Sequence, residues 1–323
     1  MFRTELNIET ANVKIGHQDP ILTLGSCFSD SMGIRFNNNK FNTCSNPFGT
    51  VYNPISIFKL LEYSVNNKLP GEGGLIENDG LYAHYDFHSS FSALDQKELK
   101  KNIKEQIKGV HHFIKTAKWL LLTFGTAYVY ERKDNGEIVS NCHKIPAGQF
   151  CKKLLTQKQI LESFESVWQQ IVKLNPDINV LLTVSPVRHV KDTLVSNSVS
   201  KATLRLTCDT LVSQYANINY FPSFELMIDD LRDYRFYKSD MIHPTEEAEE
   251  YIWNKFAATY FEASTLAFIS EWSKIRAAIQ HRPFNPASDK HQKFVKATIK
   301  KIQSLGKNLD YSEELRELER QLK

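Results

Sequence analysis

A chain of 323 residues, 41% hydrophobic and 24% charged, has ordinary globular composition and can build one large domain or two modest ones. Lys and Arg number 40 against 37 Asp and Glu, and a net charge of +3 argues against a surface that tracks nucleic-acid phosphates. The N-terminal stretch lacks the apolar core of a signal peptide and no apolar run reaches membrane-spanning length, so the reading is cytoplasmic, with no nucleic-acid and no membrane partner.

In chain order, residues 1–20 read as an extended lead-in and edge strand. Residues 21–36 (I-L-T-L-G-S-C-F-S-D-S-M-G-I-R-F) read as a strand, a tight turn and a helix. Such a turn lifts Ser26 and Cys27 to the N-terminus of the helix, where partial positive charge favours an anion and a thiol should ionise more easily. Residues 41–54 crowd Asn, Pro and Gly without helical period and form a loop; 55–65 resume helical spacing, and 70–80 are turn-rich. Residues 82–91 are aromatic and carry His84 and His88, 97–116 form an amphipathic helix, and 119–124 form a buried parallel strand that ends in Gly125-Thr126-Ala127.

Asp134-Asn135-Gly136 marks a hairpin. A helix over 160–174, a buried strand over 180–184, a helix over 200–215 and a strand over 218–221 follow, then an irregular segment over 224–237. Residues 239–253 supply a loop with Asp240 and His243, Thr245 as N-cap and a helix. From residue 262 the chain is charged helix, interrupted near 281–289. Strand, polar loop and helix in repeated order predict an α/β fold, a parallel sheet with helices on both faces, with any site at the carboxyl ends of its strands.

Acyl transfer needs a nucleophile, a base, a group that orients the base, and oxyanion donors. The chain offers Cys27 or Ser26 as nucleophile, His243 as base and Asp240 behind it. Against this, a lone D-x-x-H is common by chance and a single Cys is usually a small buried hydrophobe. Five cysteines (27, 44, 142, 151 and 208) without CxxC spacing are free thiols, and His84, His88, His111, His112 and His143 form no recognisable ligand set, so no metal and no cofactor is expected. Ser198-Val199-Ser200-Lys201 matches S-x-x-K without its companion motifs and reads as helix-start serines; the lysines of 290–301 read as a solvated helix face.

The blocks G-S-C-F-S-D (25–30), N-P-F-G-T-V-Y-N-P (46–54), F-G-T-A-Y-V-Y (124–130), N-C-H-K (141–144), S-P-V-R-H (185–189), D-D-L-R-D-Y-R-F-Y (229–237) and S-D-M-I-H-P (239–244) resemble, in that order, those of the GSCFA family over residues 1–260. That family is similar to the SGNH (GDSL-like) hydrolases. The resemblance implies a three-layer flavodoxin-like sandwich, with a domain over 1–261 and a helical C-terminal extension over 262–323. It puts Cys27 at the nucleophile position with Ser26 where the superfamily has Asp, Gly49 beside Cys27 in the oxyanion hole, and Asp240 and His243 in the D-x-x-H block. Ala127 stands where the superfamily has an oxyanion-hole Asn, with Asn46, Thr126, Asn141 and His143 as replacement donors.

The implied activity is acyl hydrolysis or acyl transfer on a small-molecule or carbohydrate ester, by a Cys-His-Asp triad. The competing expectation is a non-catalytic binder of a carbohydrate or acylated ligand with the same fold. Leu309, Leu315, Leu318 and Leu322 give the extension an apolar stripe for packing on the parent domain or for oligomer formation.

Overall fold

The computed structural model describes residues 4–305 and 309–322. Its strands are β1 (Ile21–Gly25), β2 (Thr43–Ser45), β3 (Leu75–Asn78), β4 (Leu81–His84), β5 (Trp119–Phe124), β6 (Tyr128–Arg132), β7 (Ile138–Val139), β8 (Phe150–Leu154), β9 (Asn179–Val184) and β10 (Ile218–Tyr220). The helices are α1 (Cys27–Asn38), α2 (Pro54–Val65), α3 (Gln96–Ile114), α4 (Gln157–Leu174), α5 (Thr193–Gln214), the single turn α6 (Ser223–Glu225), α7 (Glu246–Tyr260), α8 (Ala263–Gln280), α9 (Asp289–Ser304) and α10 (Ser312–Glu319).

Five strands pair in parallel in the order β10-β9-β5-β1-β2, with Gly25 opposite Thr123 and Phe124 opposite Val184. Alternation along each strand sends side chains to opposite faces. Leu22, Leu24, Leu120, Leu122, Val180 and Leu182 pack with α2, α3, α4 and α5, whereas Ile21, Trp119, Leu121 and Leu181 meet α1 and α7. The result is an α/β fold whose helices cover both faces of the central parallel sheet. β1 lies between β2 and β5, so the chain reverses its direction of winding there, and crevices for ligands open at the carboxyl ends of strands at such a point.

Local chemistry sets the element boundaries. Asn53 Oδ1 accepts the Ser56 N–H (2.8 Å) with Pro54 opening α2, Thr156 closes a capping box on α4, and Thr245 Oγ1 accepts the Ala248 N–H (3.3 Å) to start α7 as expected. Two expectations differ. Among the described residues the lead-in forms no edge strand: Ile15 makes one isolated bridge to Phe261. The hairpin after β5 gains β8, so that β7-β6-β8 form a small antiparallel sheet; Phe150 alone among the β8 side chains is buried, which leaves no apolar alternation to read.

Helices α8, α9 and α10 enclose their own cluster of Trp272, Ile275, Val295, Ile302, Tyr311 and Leu318, with Leu309, Leu315 and Leu322 packed against it. The leucine stripe therefore packs within the extension. The extension meets the body elsewhere: Trp272 Nε1 donates to the Asn38 carbonyl (2.9 Å), Lys40 pairs with Glu314 (2.7 Å), and the Phe268 and His17 rings approach to 4.1 Å. Among the described residues no helix is long and apolar enough to cross a membrane.

Candidate active site

The turn after β1 is clamped by backbone. Gly25 has φ +148°, and a Cβ on it would sit 2.2 Å from the Thr123 carbonyl oxygen, so neither the conformation nor the space admits a side chain. Its N–H donates to Asn46 Oδ1 (2.8 Å), and the Ser26 N–H donates to the Thr123 carbonyl (3.1 Å). The two candidate nucleophiles part here. Ser26 is buried and its hydroxyl has no hydrogen-bond partner among the described residues, while the half-buried Cys27 opens α1 and faces a cleft.

Burial is the main influence on the Cys27 thiol and pushes its pKa up, and the Asp30 carboxylate adds to it. The Cys27 and Phe28 N–H groups and Lys201 pull the other way without prevailing. The eased ionisation expected at a helix N-terminus is thus outweighed by desolvation.

Around the turn the polar groups are already matched. Asn46 sits at φ +38°, its Nδ2 donates to Asp30 Oδ1 (2.5 Å), and Thr50 Oγ1 donates to Asp30 Oδ2 (3.0 Å). The Gly49 N–H, expected in the oxyanion hole, donates to the Asn46 carbonyl (2.8 Å), and what the position demands is φ +73° and close approach to the His88 side chain. An oxyanion there would have to displace that bond. Gly125 and Thr126 give their N–H groups to the Tyr52 carbonyl (2.8 and 3.0 Å), while Thr126 Oγ1 lies 3.1 Å from Ser200 Oγ, which also accepts the Ala127 N–H (2.8 Å). Asn141 Oδ1 accepts the His143 N–H (2.8 Å), and His143 Nε2 lies 3.0 Å from the His84 carbonyl, which can only accept, so that nitrogen carries the proton. None of Asn46, Thr126, Asn141 and His143 lines the cleft that Cys27 shares with His243.

Asp240 and His243 form the unit that their spacing predicts. Asp240 Oδ1 accepts the N–H groups of Ile242 (2.8 Å) and His243 (3.0 Å), and Oδ2 lies 2.7 Å from His243 Nδ1. The His243 N–H, then its imidazole, then the Ile242 N–H hold the Asp240 carboxyl well below the usual carboxylate range. An ionised carboxylate only accepts, so Nδ1 carries the proton and Nε2 is left for another partner. The loop is pinned by Lys238 N–H to the His243 carbonyl (2.8 Å) and by Arg188 N–H to the Ile242 carbonyl (3.3 Å), which ties it to the segment after β9. His243 and Cys27 border one cleft of about 980 Å³, whose other walls include Arg35 and Glu249 and, from α8, Ser273 and Arg276. Among the described residues no hydrogen bond joins the Cys27 sulfur to His243, and no group of three His, Cys, Asp or Glu side chains forms a metal site.

A family model described as GSCFA family matches residues 20–256, which hold Cys27, Asp240, His243 and the turns around them. The chain belongs to the GSCFA family. A second model, described as GSCFA domain protein, C-terminal domain, matches residues 272–323, and no curated protein matches the chain.

Three residues of this GSCFA protein escaped the sequence reading. Lys201 is wholly buried in α5, beside Ser200, and its Nζ donates to the Gly125 (2.8 Å) and Ser185 (2.7 Å) carbonyls, so S-x-x-K lies inside a helix that begins at Thr193 and does not mark its start. His189, whose pKa burial pulls down to about 4, keeps Nε2 enclosed without a hydrogen-bond partner among the described residues. Tyr52 packs edge-on against that ring, 5.7 Å between centroids, and lies close enough to Cys27 and Asp30 for their charges to raise its own pKa after burial. One of the three had a legible signal: Lys201 falls four residues after Asn197 and three before Leu204, in phase with the buried stripe of α5.

Proposed function

We propose that this GSCFA protein is an acyl hydrolase or acyltransferase of SGNH (GDSL-like) type with Cys27 as nucleophile. The observation that carries the reading is the Asp240–His243 pair at the border of the cleft into which Cys27 opens, at the strand ends where the winding of the sheet reverses. His243 Nε2 takes the thiol proton as sulfur bonds to the ester carbonyl carbon. Collapse of the tetrahedral adduct expels the alcohol, which takes that proton and leaves a thioester on Cys27. Water in hydrolysis, or an acceptor hydroxyl in transfer, then attacks the thioester through the same base and restores the thiol. Asp240 keeps the imidazole in the tautomer this requires.

The cleft is wide and bordered by charged and hydroxyl side chains, including Asp30, Arg35, Glu249 and Ser273, which suits a short acyl group on a polyhydroxylated carrier such as a carbohydrate better than a long acyl chain. A second reading has specific support. With the Gly49 N–H spent on Asn46, Ala127 at the third block and burial pushing the Cys27 thiol up, the same cleft serves a non-catalytic binder of a carbohydrate or acylated ligand.

Turnover of p-nitrophenyl acetate and of an acetylated oligosaccharide by wild type, Cys27→Ala and His243→Ala separates the two. The catalytic reading expects both variants to lose about a thousandfold or more. Equal turnover by all three refutes it, and saccharide binding without turnover in any of them establishes the binder.

A further inference from the structure

We infer that Lys201 is a positioning residue of the Cys27 site, holding the turns after β5 and β9 through its ammonium and supplying the buried positive charge that opposes Asp30 at the thiolate. The inference rests on the reading of Cys27 as nucleophile.

A lysine is among the costliest side chains to bury, and this one is 1% exposed. Both its acceptors are backbone carbonyls, Gly125 just past β5 and Ser185 just past β9. Gly125 also presses on the nucleophile turn: a Cβ built on it would lie 3.3 Å from Ser26 Cβ. Neutral side chains can join such turns, as Ser200 does for the Ala127 N–H. A stitch alone therefore does not call for a full charge in a desolvated position.

Lys201 forms no ion pair with a carboxylate among the described residues; its Nζ lies 5.6 Å from the Phe224 ring, and its charge reaches the Cys27 sulfur and the His189 imidazole. The charged and titratable groups within electrostatic reach of Cys27 are Asp30 on its own helix, Tyr52 from the loop after β2 and Lys201 from α5, while His243 borders the same cleft. Lys201 is the cation of that set with no solvent to screen it. Burial pulls its pKa down to about 7, and a thiolate at Cys27 holds the proton on. The charge is therefore best sustained when Cys27 is ionised.

The test reads the pH profile of iodoacetamide alkylation at Cys27, located by peptide mapping of the full-length protein, and needs neither substrate nor turnover. Lys201→Met and Lys201→Gln, folded by circular dichroism, are expected to raise the apparent thiol pKa by about one unit and to slow alkylation about tenfold at neutral pH. Asp30→Asn, which leaves Lys201 in place, is expected to lower it. A wild-type profile in either folded Lys201 variant overturns the inference, and should neither variant fold, an unmoved profile in Asp30→Asn overturns it. Failure of the catalytic reading shows separately, as unchanged turnover in Cys27→Ala.

Discussion

Removing the Asn46 side chain should cost more than any single hydrogen bond it makes. Its carbonyl oxygen is the acceptor for the buried Gly25 N–H at 2.8 Å, and its amide donates to Asp30 at 2.5 Å. Stranding a buried donor costs about 1–3 kcal/mol, and the bond to a carboxylate is worth a similar amount, discounted here because Asp30 borders an open cleft. At φ +38° an alanine adds roughly 1 kcal/mol that a glycine avoids. Asn46→Ala is therefore expected to destabilise by about 3 kcal/mol and Asn46→Gly by about 2 kcal/mol, since both lose the bonds and the first alone meets the backbone penalty. Urea unfolding at constant m-value reads both. A value for Asn46→Ala within about 0.5 kcal/mol of wild type would refute the bracing role, and a glycine variant weaker than the alanine one would refute the conformational share.

Two further outcomes are expected. The folded-state pKa of Asp240 is depressed, so its contribution to stability is present above the unfolded value of about 4 and is lost as pH falls below it. Asp240→Asn should flatten the decline of the urea midpoint with acid below that pH, and parallel acid limbs for variant and wild type would count against the pairing. Trp272→Ala removes a wholly buried indole and its bond to the Asn38 carbonyl, at a cost of about 3–5 kcal/mol to the helical extension. Faster amide exchange over residues 263–304 is the signature, and unchanged exchange there would show that the extension does not depend on this anchor.

The parallel sheet was legible because 119–124 and 180–184 are mainly apolar runs followed by Gly125 and Ser185, a pattern fixed by burial on both faces. The Asp240–His243 pair was legible because three-residue spacing in a loop brings the two side chains together locally. What the sequence concealed is how far the candidate donors are already committed. Gly49 and Asn46 satisfy one another within a turn, but Thr126 depends on Ser200, 74 positions away, and Lys201 on Gly125, 76 positions away. No local pattern encodes those distances. The fate of Ser26 was hidden for the same reason, since whether its hydroxyl ties the turn or stays enclosed is settled by the packing around it.

The pairing of Gly25 with Thr123 also bears on when the site comes into being. The two residues lie about a hundred positions apart, and β9 and the Asp240–His243 loop follow later still. Contacts of such high order form slowly, because loop-closure entropy must be overcome before the pairing rewards it. During synthesis Cys27 therefore emerges as an ordinary solvated thiol with Asp30 close by on its own helix, and neither Lys201 nor the imidazole can act on it until distant stretches of chain have condensed. The reactivity of that one sulfur is thus a clock for the completion of the fold, readable by pulse alkylation during refolding.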